Sequence, residues 1–106
     1  MNEDIHFRVL KVIETNPKIT QRALADELGI SLGKANYCIK SLAQKGWIKA
    51  SNFKNSNNKL AYAYLLTPHG IEEKALMTVR FLRRKMDEYE ALKEEIDQLK
   101  RDIDSR

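Results

Sequence analysis

The sequence predicts a mainly α-helical chain with one small β-hairpin, closed by a long C-terminal helix. Three observations carry that prediction. Before residue 47, three short segments repeat apolar residues at helical spacing, with capping or breaking residues at their ends. Between residues 47 and 66, two runs alternate with period two around a cluster of Asn and Ser. From Pro68 onward no further Pro occurs and the only Gly is Gly70, so one helix can run to the end.

In chain order, Asp4 is placed to cap a first helix in which Ile5, Val9, Leu10, Val12 and Ile13 recur until Asn16-Pro17 stops it. Lys18-Ile19-Thr20 is too short for more than a stub of strand. Thr20 caps a second helix whose apolar stripe comprises Leu24 and Leu28 with the small Ala23 and Ala25, and Gly29 supplies the permissive backbone that ends it. Ser31 caps a third. At 100° per residue, Leu32, Ala35, Cys38, Ile39 and Leu42 share an arc that faces a core, and Gly33, Asn36, Tyr37, Lys40, Ser41 and Gln44 share the opposite one, flanked by Lys34 and Lys45. WIKASNF then reads as a strand, KNSNNK as a loop, and LAYAYLL as a second strand with Leu60, Tyr62 and Tyr64 opposed to Ala61, Ala63 and Leu65.

Charge points to a polyanionic partner. The net charge of +4 is unevenly divided: residues 1–66 hold ten Lys and Arg against five Asp and Glu, whereas residues 67–106 hold nine against ten. No carboxylate occurs between Glu27 and Glu72, an interval that carries Lys34, Lys40, Lys45, Lys49, Lys54 and Lys59. Amides and hydroxyls on the polar arc of the third helix suit base edges, and ammonium groups suit phosphates, as a helix in a DNA major groove requires. A merely solvated helix surface has the same look in an isolated helix pair, so the flanking elements decide. No basic amphipathic helix with an apolar insertion face and no long apolar run is present, so a membrane partner is not expected, and MNEDIHFR lacks the order of a signal peptide. A cytoplasmic location follows as an expectation.

Catalytic and metal chemistry find no foothold in the pattern. Cys38 is the sole cysteine and lies on the apolar arc, which predicts a buried, inert thiol; the alternative, a redox-sensing thiol, would need exposure and a lowered pKa. His6 and His69 stand apart from each other and from any ligand spacing, and no phosphate-binding Gly loop or nucleophile elbow appears. The expectation is a protein that is not an enzyme and uses no cofactor or metal.

Three helices followed by a two-stranded ribbon are the winged helix-turn-helix plan. The run from Arg8 to Met86, and in particular ISLGKANYCIKSLAQKGWIKASNFKNSNNKLAYAYLLTPHGIEEKALMTVRFLRRKM, resembles the MarR-type winged-helix regulators, specifically a short subgroup associated with exopolysaccharide gene clusters. The resemblance implies a bacterial, dimeric, DNA-binding transcriptional regulator near exopolysaccharide genes. The chain departs from the larger pattern in two respects. It is too short for the dimer domain and effector pocket that other members build from both chain ends, leaving any effector unknown. Its wing lacks their Asp-x-Arg pair and offers Lys54, Asn55, Asn57, Asn58 and Lys59 instead.

The last third begins with Thr67 as cap and Pro68 in first position, with Glu72 and Glu73 near the positive end of the dipole. About 34 residues at 1.5 Å each extend roughly 50 Å, farther than a core of this size reaches. Ala75, Val79, Leu82, Met86 and Tyr89 follow steps of four and three, and Leu92, Ile96, Leu99 and Ile103 resume that rhythm after one phase slip, as in a coiled-coil seam. The alternative is an end that frays beyond Tyr89.

Residues 1–66 are therefore expected to form a winged helix-turn-helix DNA-binding domain and residues 67–106 a dimerisation helix. The candidates for double-stranded DNA are Asn36, Tyr37, Lys40 and Ser41 at bases and nearby backbone; Ser31, Gly33 and Lys34 at the helix amino end; and Gln21, Arg22, Lys54, Asn55 and Lys59 at phosphates. Those for homodimerisation are Val79, Leu82, Met86, Tyr89, Leu92, Ile96, Leu99 and Ile103. The competing functional class is a winged-helix protein-interaction module without sequence-specific DNA binding.

Overall fold

The computed structural model describes residues 3–54 and 60–105, the side chains of residues 53, 54, 60 and 61 excepted. Its elements are α1 (Glu3–Thr15), α2 (Gln21–Leu28), α3 (Leu32–Gln44), β1 (Ile48–Lys54), β2 (Leu60–Leu66) and α4 (Pro68–Asp104). Backbone contacts divide the chain into two units, Met1–Ala75 and Leu76–Arg106.

Local chemistry accounts for most boundaries. Asp4, expected as a cap, lies inside the first turn of α1, where a carboxylate still favours the positive end of the helix. The Thr20 hydroxyl accepts the Ala23 N–H at 3.0 Å and starts α2. Gly29 ends it in the left-handed conformation (φ 67°), and the Ile30 N–H turns back to the Ala25 carbonyl. The Ser31 hydroxyl does for Lys34 what Thr20 does for Ala23, again at 3.0 Å. At the far end of α3 the Trp47 N–H bonds the Leu42 carbonyl, so β1 starts at Ile48 and not at Trp47.

In the first unit α1 packs on α2, α3 and β2, and α3 on β1. Its core joins Val9, Leu10 and Ile13 of α1 to Leu24, Ala25 and Leu28 of α2, to Ala35, Cys38, Ile39 and Leu42 of α3, and to Ile48 and Tyr64 of the hairpin. Two residues depart from the predicted stripes. Leu32, at the start of α3, remains 43% exposed, and Ala23 is exposed beside the buried Leu24; both occupy the first turns of their helices.

β1 and β2 pair antiparallel with Ile48 opposite Leu66, Ala50 opposite Tyr64 and Asn52 opposite Tyr62. Ile48 and Tyr64 are buried while Tyr62 is exposed, so the inward face leaves the core partway up the ribbon and the far end becomes a wing. The Tyr64 N–H also bonds the Pro17 carbonyl at 2.8 Å, which ties β2 to the α1–α2 connection.

The start of α4 belongs to the first unit. Thr67 caps it, its hydroxyl accepting the Gly70 N–H at 3.0 Å and donating to the Gly46 carbonyl, while its own N–H bonds the Trp47 carbonyl. Gly70 is buried there, and a Cβ at that position would drive into the Trp47 carbonyl oxygen and come within 2.8 Å of its carbon. Lys74 pairs with Glu14 of α1 at 3.0 Å. Glu72 and Glu73 fall in the second turn, where Glu73 lies 3.5 Å from His69. In the second unit α4 stays helical through Asp104, without fraying after Tyr89. Among that unit's described residues Met77 alone is buried.

Candidate nucleic-acid interface

The site is built on α3. Its buried side anchors it through Ala35, Cys38, Ile39 and Leu42. Burial raises the Cys38 thiol pKa, against a smaller opposing pull from the Lys34 charge, so the thiol is an inert packing group. On the outer side Ser31, Gly33, Lys34, Tyr37 and Lys40 are exposed, and Asn36 and Ser41 are half-buried. Lys34 and Lys40 therefore present ammonium groups on a helix whose own side chains include no carboxylate.

Gly33 has no structural need to be glycine. It lies in the first turn of α3 with an ordinary helical backbone, and a Cβ there would meet nothing within 4 Å. Glycine in a helix costs about 0.5–1 kcal/mol relative to alanine, and no packing inside the protein offsets that cost. What the missing side chain leaves is a bare patch of helix at the amino end, where backbone N–H groups and the dipole favour anions.

A hydrogen-bonded chain fixes Asn36. Its Nδ2 donates to Gln21 Oε1 at 3.0 Å, and Gln21 Nε2 donates to the Tyr64 hydroxyl at 3.1 Å. The wing, α2 and α3 are thus linked through one glutamine amide. Gln21 retains one N–H and one lone pair, and Asn36 one N–H and its carbonyl oxygen, so each can still take a further partner. Sequence reasoning missed this linkage: Gln21 and Tyr64 stand 43 residues apart, and only the period-two placement of Tyr64 hinted that it points toward the helices. A second link the sequence does not show is structural: the Arg8 guanidinium donates to the Leu28 carbonyl at the C-terminal end of α2, at 3.2 Å, tying α1 to α2.

The remaining candidates scatter. Arg22 is exposed on α2. Lys54 ends β1 opposite Leu60, its side chain beyond the described ones, while Asn55 and Lys59, with Asn57 and Asn58, lie outside the described residues. Beside the wing, Lys18, Ile19, Thr20, Gln21, Tyr62 and Tyr64 line a shallow cleft of about 270 Å³. Lys45, at the carboxyl end of α3, sits with Nζ 4.8 Å over the Trp47 ring. Its charge also acts on His6, which is buried with no hydrogen-bond partner for Nε2 among the described residues. Desolvation, and then Lys45, hold that imidazole below its ordinary pKa.

The seam candidates all belong to the second unit. Val79, Leu82, Met86, Tyr89, Leu92, Ile96, Leu99 and Ile103 are all exposed along α4, from 44% at Ile96 to 72% at Ile103. No helix among the described residues is long and apolar enough to cross a membrane.

A family model described as winged helix-turn-helix DNA-binding matches residues 2–49. No curated protein matches the chain. Among solved structures, the transcriptional regulator SlyA superposes with a TM-score of 0.64 at 20% identity, over 76% of this chain and 56% of its own. A MarR/EmrR family transcriptional regulator from Acinetobacter sp. ADP1 gives 0.62 at 20% identity, over 96% and 76%. FabT of Streptococcus pneumoniae, solved in complex with DNA, gives 0.57 at 21% identity, over 79% and 57%. The chain therefore spans little more than half the length of SlyA and FabT. At these identities the likeness is one of fold: the chain has a winged helix-turn-helix fold of the kind seen in MarR-type regulators.

Proposed function

We propose that the protein is a sequence-specific DNA-binding transcriptional regulator of the MarR type, acting as a cytoplasmic homodimer. Residues 1–66 serve as the DNA-binding domain and residues 67–106 as the dimerisation helix. The observation that carries this reading is the outer face of α3. Lys34 and Lys40 stand exposed on a helix without carboxylates, around a glycine that the fold itself does not need. In this role α3 enters the major groove, Asn36, Tyr37, Lys40 and Ser41 meet base edges and nearby backbone, and the amino end of α3 approaches a phosphate. Arg22, with the wing residues Lys54, Asn55 and Lys59, lies at flanking phosphates. A dimer would place two such helices in successive major grooves, about 34 Å apart on a pseudo-palindromic site. That FabT, of similar fold, was solved in complex with DNA supports the choice of ligand. The resemblance to the exopolysaccharide-associated subgroup makes genes of that kind the targets to try first.

The test is fluorescence anisotropy of the protein against a duplex from the region upstream of its own gene and a scrambled duplex, across a salt series. Tighter binding to the native duplex, with affinity falling steeply as salt rises, is the expected result. Weak and equal binding to both would overturn the proposal and leave the interaction-module reading.

A further inference from the structure

The apolar seam of α4 is exposed along its whole length in the single chain, and its spacing and flanking charges say what covers it. From Ala75 to Ile103 the steps between seam residues are four, three, four, three, three, four, three and four. With Val79 at position a and Leu82 at d, Met86 and Tyr89 continue the heptad. Tyr89 then serves also as the a residue of a new heptad whose d is Leu92. Such a three-residue slip is the stammer that overwinds a coiled coil locally without breaking its seam. The series reads the same in both directions about Tyr89. Apolar layers therefore match whether a second copy lies parallel in register or antiparallel with Tyr89 facing Tyr89, and the seam by itself leaves direction open.

Charge decides it. In a parallel pair each g residue faces the e residue five positions later on the other copy. Lys85 then meets the second copy's Glu90, Glu88 meets its Lys93, and Glu95 meets its Lys100; every charged pair is attractive, and Thr78 against Arg83 is neutral. In the antiparallel pair e faces e and g faces g. Glu90 then meets Glu90 and Arg83 meets Lys93, against one attractive pairing of Lys85 with Glu95. Within the single chain Lys85 lies 3.1 Å from Glu88, both well exposed, so exchanging that contact for interchain partners requires no desolvation of buried groups.

We infer that residues 79–103 of α4 form a parallel, in-register, two-stranded coiled coil with a second copy of this chain, its direction set by the g–e pairs Lys85–Glu90, Glu88–Lys93 and Glu95–Lys100. The inference rests on the homodimer proposed above and adds its direction and register. Parallel pairing brings the amino ends of both α4 helices together, so the chain enters the coil from both first units at the same end.

Single cysteines in the full-length chain test this, because Cys38 is buried and inert. In the parallel coil Val79→Cys and Leu99→Cys each crosslink to themselves under mild oxidation, giving a species of twice the 12.3 kDa chain mass. In the antiparallel coil residue 79 lies about 30 Å from its counterpart at 1.5 Å per residue; neither single variant links, and only the double variant does. That outcome, or a sedimentation mass of one chain for the parent, overturns the inference. A second measurement needs no cysteine. Glu95→Lys raises the dimer dissociation constant on the order of tenfold, and adding Lys100→Glu restores it only in the parallel arrangement, because the antiparallel one sets Lys100 opposite Leu76. Failure of that rescue also overturns the inference. DNA binding is read separately by anisotropy. A crosslinked dimer indifferent to DNA refutes the regulator proposal alone, and a monomer that binds DNA refutes the coil alone.

Discussion

Gly33→Ala sets stability against function at a single atom. The residue sits in the first turn of α3, and an added Cβ meets nothing within 4 Å. Replacing glycine by alanine there removes conformational freedom from the unfolded chain without a clash in the folded one, which stabilises by about 0.5–1 kcal/mol. On DNA the same methyl group occupies the space through which a phosphate or sugar reaches the backbone N–H groups of the α3 amino end. Overpacking of a tight contact costs about 1–3 kcal/mol, or roughly 5- to 150-fold in affinity at 1.4 kcal/mol per decade. Urea denaturation should show a higher midpoint at unchanged slope, and anisotropy on the native duplex a weaker complex. The reasoning is refuted if stability falls, since the Cβ would then have met something. It is equally refuted if affinity holds while stability rises, because DNA would not approach α3 at its amino end.

The other predictions concern neighbouring parts of the same unit. Lys40→Ala weakens the specific complex by about 1–3 kcal/mol if Lys40 reads a guanine, and weakens all duplexes alike with a shallower salt slope if it touches phosphate; unchanged affinity removes it from the site. In a double-mutant cycle on DNA affinity, Gln21→Ala and Asn36→Ala should be non-additive by about 0.5–1.5 kcal/mol, because the Gln21 carbonyl orients Asn36; additivity would mean that each acts alone. Gly70→Ala destabilises by about 1–3 kcal/mol or more, read by urea, because its Cβ collides with the Trp47 carbonyl; an unshifted midpoint contradicts the packing of α4 on Trp47. His6 is held below its ordinary pKa of 6.5 by burial and by Lys45, so the folded state resists a proton that the unfolded chain accepts. Stability is accordingly full above about pH 6.5 and declines as pH falls toward the lower folded value. His6→Phe should flatten that part of a pH–stability profile, and a slope identical to the parent's would assign the titration to other groups.

Where signals are local, the sequence was a sufficient guide. Thr20, Ser31 and Thr67 cap because a side-chain oxygen three residues before a free N–H reaches it whatever the rest of the fold does. Gly29 ends α2 because only the residues around it set its backbone, and the strands of the wing follow from period-two alternation. The plan of helix, helix, helix, ribbon and long helix was legible for the same reason, as was the carboxylate-free run that includes α3. Tertiary structure alone decided which polar groups meet and which apolar ones stay wet. Leu32 has the phase of a core residue yet remains exposed, because phase gives a direction and not whether a neighbour stands there. Nothing around Gly70 in the sequence signals that the Trp47 carbonyl packs against it and leaves no room for a Cβ. Asn36 and Gln21 read as two independent contacts, whereas a direct hydrogen bond between them, with Gln21 in turn held by the Tyr64 hydroxyl 43 residues away, makes them one positioned unit. Caps and periods are written within a turn or two of backbone; such long-range pairings exist only once the core has set the elements side by side.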